Sequence, residues 1–109
     1  MVVLDIEQRD VDRIFAALAD ATRRDIVTRV LHEEASVSTL ASRYSMSFAA
    51  VQKHVAVLER VGLVTKVRRG RELLVRSEPE TLRRAREALD QLAEAWQGRV
   101  ERMAALLDE

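Results

Sequence analysis

Ser47, Ala49, Gln52, Lys53 and Arg60 fall within a stretch of fourteen residues, and their spacing is the first chemical signal in this chain. Wound at about 100° per residue, residues 48–60 separate into two faces. Val51, Val55 and Leu58 gather on one side, whereas Ala49, Gln52, Lys53, Ala56 and Arg60 gather on the other. Small side chains let a helix approach the floor of a DNA major groove, which is about 12 Å wide. Gln52 can both donate to and accept from an adenine edge, and Lys53 can reach guanine or phosphate. Ser47 is a good N-cap, and the free N–H groups it leaves suit a phosphate oxygen. His54 lies at the edge of the apolar face, so it is either a partly buried structural residue or a further DNA contact. His32 is expected to be exposed near a helix end.

A second basic cluster follows. Arg68, Arg69 and Arg71 surround Gly70 between two runs of strand-forming residues. That pattern predicts a β-hairpin with arginines at its tip, able to straddle a phosphate backbone or enter a minor groove. The net charge of the chain is zero, yet residues 43–76 hold eight basic and two acidic side chains. The flanking stretches each hold five basic and eight acidic side chains. A basic middle between acidic ends is the charge footprint of a phosphate-binding centre.

The elements that must position these residues are legible from periodicity. Val11, Ile14, Phe15 and Leu18 form one apolar stripe of a first helix. Asp20 or Thr22 can cap a second helix that buries Ile26, Val27, Val30 and Leu31. A polar break at residues 32–35 leads to a short third helix starting at Ser36 or Ser38. Tyr44, Ser45 and Met46 form a tight turn, with Met46 placed to staple onto Val51. Gly62 closes the fourth helix in a left-handed conformation. Ser77 and Glu80 have capping-box spacing, with Pro79 in the first turn of a long last helix over about 78–107. The expected architecture is mainly α with a small β-hairpin wing, in the order α-α-α-α-β-β-α: a winged helix-turn-helix.

The last helix carries Leu82, Ala85, Leu89, Leu92, Trp96, Val100, Met103 and Leu107 at intervals of three or four. About thirty residues span roughly 45 Å, more than the preceding 76 can cover. A partner helix covers the remainder. Leu89, Leu92, Trp96, Val100 and Met103 are therefore the expected dimer contacts, with Ile14 and Phe15 from the first helix. The whole chain, 1–109, reads as one winged helix-turn-helix domain. Residues 8–77 form its DNA-binding core and residues 78–107 its dimerisation helix.

Other classes fare poorly. The chain has no cysteine, which removes disulfides, thiolate metal sites and cysteine nucleophiles. No phosphate-binding loop, nucleophile elbow, zinc-protease motif or dinucleotide-binding glycine motif occurs, so no enzyme is expected. Two isolated histidines offer no metal-ligand spacing, and no cofactor is expected. No stretch approaches the roughly 20 apolar residues of a membrane span. Met1 to Asp10 carries Asp5, Glu7 and Asp10 and does not read as a secretion signal, so a cytoplasmic protein is expected.

Three segments resemble the ArsR family of bacterial repressors. They are the run FAALADATRR from Phe15 to Arg24, the run VQKHVAVLERVGLV from Val51 to Val64, and Arg69-Gly70-Arg71. The likeness covers about residues 11–107. It implies a homodimer that sits on a palindromic operator in double-stranded DNA and leaves it when a signal arrives. Many relatives sense metals through a Cys-Val-Cys segment near the third helix, where this chain has Ser36-Val37-Ser38. Others bind zinc between their last helices through Asp and His. Here Glu80 matches one acid, but the last helix holds no histidine. The resemblance therefore implies a repressor without a metal cofactor, and it names no effector. The competing reading is a protein-interaction adaptor built on the same scaffold.

Overall fold

A computed structural model describes residues 6–108. Met1–Asp5 and Glu109 lie outside the described residues, so the leader reading at the N-terminus rests partly on positions outside it. The elements are α1 (Ile6–Leu18), α2 (Ala21–His32), β1 (Ala35–Ser36), α3 (Val37–Ala41), α4 (Phe48–Arg60), β2 (Val64–Arg69), β3 (Glu72–Ser77) and α5 (Pro79–Leu107). No helix among the described residues is long and apolar enough to cross a membrane.

The corner between α1 and α2 is built by three polar side chains. Asp20 caps α2 by accepting from the Arg23 amide at 3.0 Å. Arg23 Nε donates back to the Ala17 carbonyl at 2.5 Å, and Arg24 Nη1 to the Leu18 carbonyl at 2.7 Å. Two arginines of one helix thus satisfy carbonyls left open at the end of the preceding helix.

The core lies where α1, α2, α4 and the sheet meet. Ile14, Ile26, Val51, Val55, Leu58, Val64 and Val75 are all fully buried. Helix α4 ends in a Schellman arrangement. The Leu63 amide donates to the Leu58 carbonyl and the Gly62 amide to the Glu59 carbonyl, each at 3.0 Å. Gly62 takes the required positive φ of 81°. Thr81 then donates to the Gly62 carbonyl at 2.6 Å, pinning the start of α5 to this junction.

The wing differs from expectation by one strand. The sheet is three-stranded and antiparallel in the order β1-β3-β2. The segment read as a polar break contributes β1, pairing Ala35 with Val75 and Ser36 with Leu74. The observed order is therefore α-α-β-α-α-β-β-α. Two residues are too few to show a period of two, so no alternation announced the strand. The hairpin forms as expected, but β2 runs on through Arg68 and Arg69, so that Arg69 lies opposite Glu72 and the turn shrinks to the two residues Gly70-Arg71. Gly70 has φ 64° and no non-glycine residue among those described has positive φ, the pattern of a type II′ turn.

Three further expectations are corrected. Leu31, expected on the buried face of α2, is exposed at the end of that helix, and only Ile26, Val27 and Val30 are buried there. The capping box at Ser77 does not form. Ser77 pairs with Val64 as the last residue of β3, and Glu78 takes the N-cap position with no side-chain cap bond. Glu80 instead binds Arg83 at 2.6 Å. Ile14 is 0% exposed within its own protomer, so it offers no surface to a partner. Phe15, its neighbour, is only partly buried against the same core.

Candidate nucleic-acid interface

The helix-turn-helix consists of α3, the turn over residues 42–47, and α4. Its turn is held from behind. Tyr44 donates its hydroxyl proton to Asp25 Oδ2 at 2.5 Å, and Arg29 Nε donates to the same oxygen at 2.7 Å. The Arg29 guanidinium also lies 5.6 Å from the Tyr44 ring centroid. Burial first, and then the Asp25 carboxylate, push the Tyr44 phenol up to about 12. The Tyr44 bond and then that of Arg29 hold Asp25 below the usual carboxylate range. Tyr44 was legible only as a turn residue. The i, i+4 spacing of Asp25 and Arg29 was the available hint of a polar anchor on α2.

Helix α4 starts where expected. Ser47 accepts from the Ala50 amide at 3.1 Å. Ser47, Ala49, Gln52, Lys53 and Arg60 are all exposed, while Val51, Val55 and Leu58 are fully buried. The structure therefore brings four of the five outer-face residues, together with the Ser47 cap, onto one accessible surface, whereas Ala56 is half-buried. His54 is set apart from them. Its Nδ1 lies 4.0 Å from Asp20 Oδ1, and its side chain is 22% exposed. Of the two roles open to His54, this position favours the structural one. Asp20 itself is held below its usual range, chiefly by the Arg23 amide and also by His54 when charged. His32 is exposed at the end of α2, as expected.

Arg68, Arg69 and Arg71 are exposed at the wing tip. They are not equivalent. Arg69 Nη2 sits 3.6 Å from Glu34 Oε2, and Arg76 Nε sits 3.7 Å from Glu34 Oε1. Glu34 precedes β1, so its partnership with two wing arginines was invisible without that strand. Lys66 Nζ approaches Glu59 Oε1 at 3.6 Å and links the wing to α4. Among the described residues, Arg68, Arg71, Lys53 and Arg60 form no ion pair. Their charges are free to meet an outside anion.

Beyond the core, α5 projects an uncovered seam. Leu89, Leu92, Trp96, Val100 and Met103 are all exposed, and Ala85 is the only residue of the helix that is buried among those described. Among the described residues no group of three or more His, Cys, Asp or Glu is placed to hold a metal ion. Ser36, at the place of the first cysteine in metal-sensing relatives, caps α3 by accepting from the Thr39 amide at 3.1 Å.

A short helix, a turn, a solvent-facing helix and an antiparallel wing together make a winged helix-turn-helix, a DNA-reading module. The comparisons agree. A family model described as a helix-turn-helix domain matches residues 18–67. The chain is 35% identical over 100 residues to the HTH-type transcriptional regulator Rv2034 of Mycobacterium tuberculosis, covering 92% of this chain and 91% of that one. It is 40% identical over 78 residues to the uncharacterized HTH-type regulator YuzN of Bacillus subtilis, covering 62% of this chain and 84% of that one. The solved structure of an ArsR-like transcriptional regulator from Rhodococcus sp. RHA1 superposes with a TM-score of 0.78 at 31% identity, over 91% of this chain and 93% of that one. The chain belongs to the ArsR family of winged helix-turn-helix transcriptional regulators.

Proposed function

We propose that this regulator is a cytoplasmic homodimeric repressor that binds a palindromic operator and uses no metal cofactor. The observation that carries the reading is the apolar seam of α5, left uncovered in a chain that also turns the outer face of α4 to solvent. Residues 8–77 would form the DNA-binding core and residues 78–107 the dimerisation helix. Pairing two protomers across Phe15, Leu89, Leu92, Trp96, Val100 and Met103 removes the seam from water and presents two copies of α4 to DNA. A two-fold dimer then reads two half-sites about one helical turn apart, which is what makes its operator palindromic.

The roles divide by position. Gln52 reads a base edge, Ala49 permits close approach, and Lys53 reaches guanine or phosphate. Ser47, Arg60, Arg68 and Arg71 contact the backbone and set the register. Arg69 does so after exchanging Glu34 for a phosphate.

Footprinting on genomic fragments tests the reading, because it yields the operator and its spacing together. The expected result is a salt-sensitive, two-fold symmetric footprint, with Gln52→Ala losing discrimination between sequences at unchanged stability. An asymmetric single half-site footprint, or no complex at low salt, refutes it. A stable monomer at high concentration refutes the dimer and supports the adaptor reading.

A further inference from the structure

Phe48 is the first residue of α4, and its side chain is 46% exposed. It is the one large apolar side chain left exposed in α3 or α4 among the described residues. Neither the core nor the cap accounts for it. The inner face of α4 is completed by Val51, Val55 and Leu58, all fully buried. The helix start is satisfied by Ser47, whose side chain accepts from the Ala50 amide. A polar or small residue in the first turn would keep the helix and leave less apolar surface in water.

Its neighbours on the surface point to an occupant. Gln52 is one turn further along on the same side and is exposed, and Ala49 beside it is small and exposed. The first turns of a recognition helix are the part that meets base edges in the major groove. Only one base presents an apolar group there, the 5-methyl of thymine, and phenylalanine is among the side chains that contact it. We infer that Phe48 is a specificity-determining residue, whose ring packs on the methyl group of a thymine in or next to the base pair read by Gln52. This rests on the reading that the outer face of α4 enters the major groove.

A binding duplex selected from a random pool with the wild-type protein is the starting point of the test. Its thymines are then replaced one at a time by deoxyuridine, which lacks only the methyl group, and affinities are measured by fluorescence anisotropy. Wild type is expected to lose roughly fourfold at one thymine of each half-site, the value of one buried methyl. Phe48→Ala should bind the thymine and deoxyuridine duplexes equally at that position, and keep any difference seen elsewhere. Phe48→Leu should retain part of the difference. Helical signal of both variants should match wild type, and the melting temperature should fall by no more than several degrees, since only about half of the residue is covered by its own protomer.

If Phe48→Ala weakens the thymine and deoxyuridine duplexes by the same factor relative to wild type, the ring lies on sugar or backbone and the inference is overturned. Indifference of the wild type to every thymine replacement would overturn it as well. If the wild type selects no duplex at all, the failure belongs to the DNA-facing assignment of α4 itself and takes the inference with it.

Discussion

Trp96 stands midway along the exposed part of α5 and is 63% exposed, with Leu92 one turn before it at 67% and Val100 one turn after it at 38%. Trp96→Ala is therefore the sharpest perturbation of the proposed dimer. A tryptophan side chain can bury about 200 Å², and nearly two thirds of that remains to be covered here. At about 25 cal/mol per Å² the uncovered part is worth roughly 3 kcal/mol per chain. A two-fold interface counts the change twice, giving roughly 6 kcal/mol before the retained alanine and local collapse reduce it to about 4. That corresponds to a dimer dissociation constant raised by about a thousandfold. Sedimentation equilibrium over a range of concentrations measures it. Trp96 is also the only tryptophan, so its emission reports the interface alone in the wild type. Dilution through the dissociation constant should shift that emission to the red. A Trp96→Ala protein that dimerises as tightly as wild type would refute the reasoning. So would a wild-type emission that stays fully solvated at high concentration.

Arg71→Ala should weaken binding to all sequences alike and make the log–log salt dependence shallower by roughly 0.9 per protomer. Filter binding at several salt concentrations checks it, and a change confined to base preference would show that the wing tip reads bases instead. Tyr44 is the only tyrosine, so phenolate absorbance titrates it alone, and its midpoint should lie near 12 rather than 10. Because the folded value is raised, the stability linked to Tyr44 is complete below about pH 10 and drains as the pH climbs toward 12. Asp25→Asn should lower that midpoint only part of the way, since burial is the larger cause. Asp25 works in the opposite sense, and its contribution should be present above pH 3.8 and fade in acid below it. Arg23→Ala should cost about 1 kcal/mol in urea melts by reopening carbonyls at the end of α1, and lysine should not restore it, having no planar fork to span two carbonyls.

Periodicity revealed which side of each helix turns inward, and this is why α4, its Ser47 cap and the Gly62 terminus were legible. It does not reveal what that inward side meets. Ile14 and Trp96 lie on similar stripes, yet Ile14 is enclosed by its own protomer and Trp96 is not. The difference is tertiary, set by how far α5 runs past the body of the fold. Local signals also failed where a longer-range partner outweighed them. Ser77 has the chemistry of a cap, but the ladder to Val64 keeps it in the strand. Glu34 reads as a loop acid until β1 sets it against Arg69 and Arg76. The run from Phe15 to Arg24 was recognisable as a pattern. Its physical cause, two arginines reaching back over a helix end, required the chain to be folded.

Strand β1 ends at Ser36, and Ser36 is at once its last paired residue and the cap of α3. No slack separates the wing sheet from the reading head. The hairpin therefore has no hinge of its own on this side. If the proposed repressor is released from DNA by a signal, that signal would either shear the Ala35–Val75 and Ser36–Leu74 pairs or carry wing and recognition helix away as one rigid jaw. The two routes leave different traces in amide hydrogen exchange, since only the first unprotects the amides that join β1 to β3.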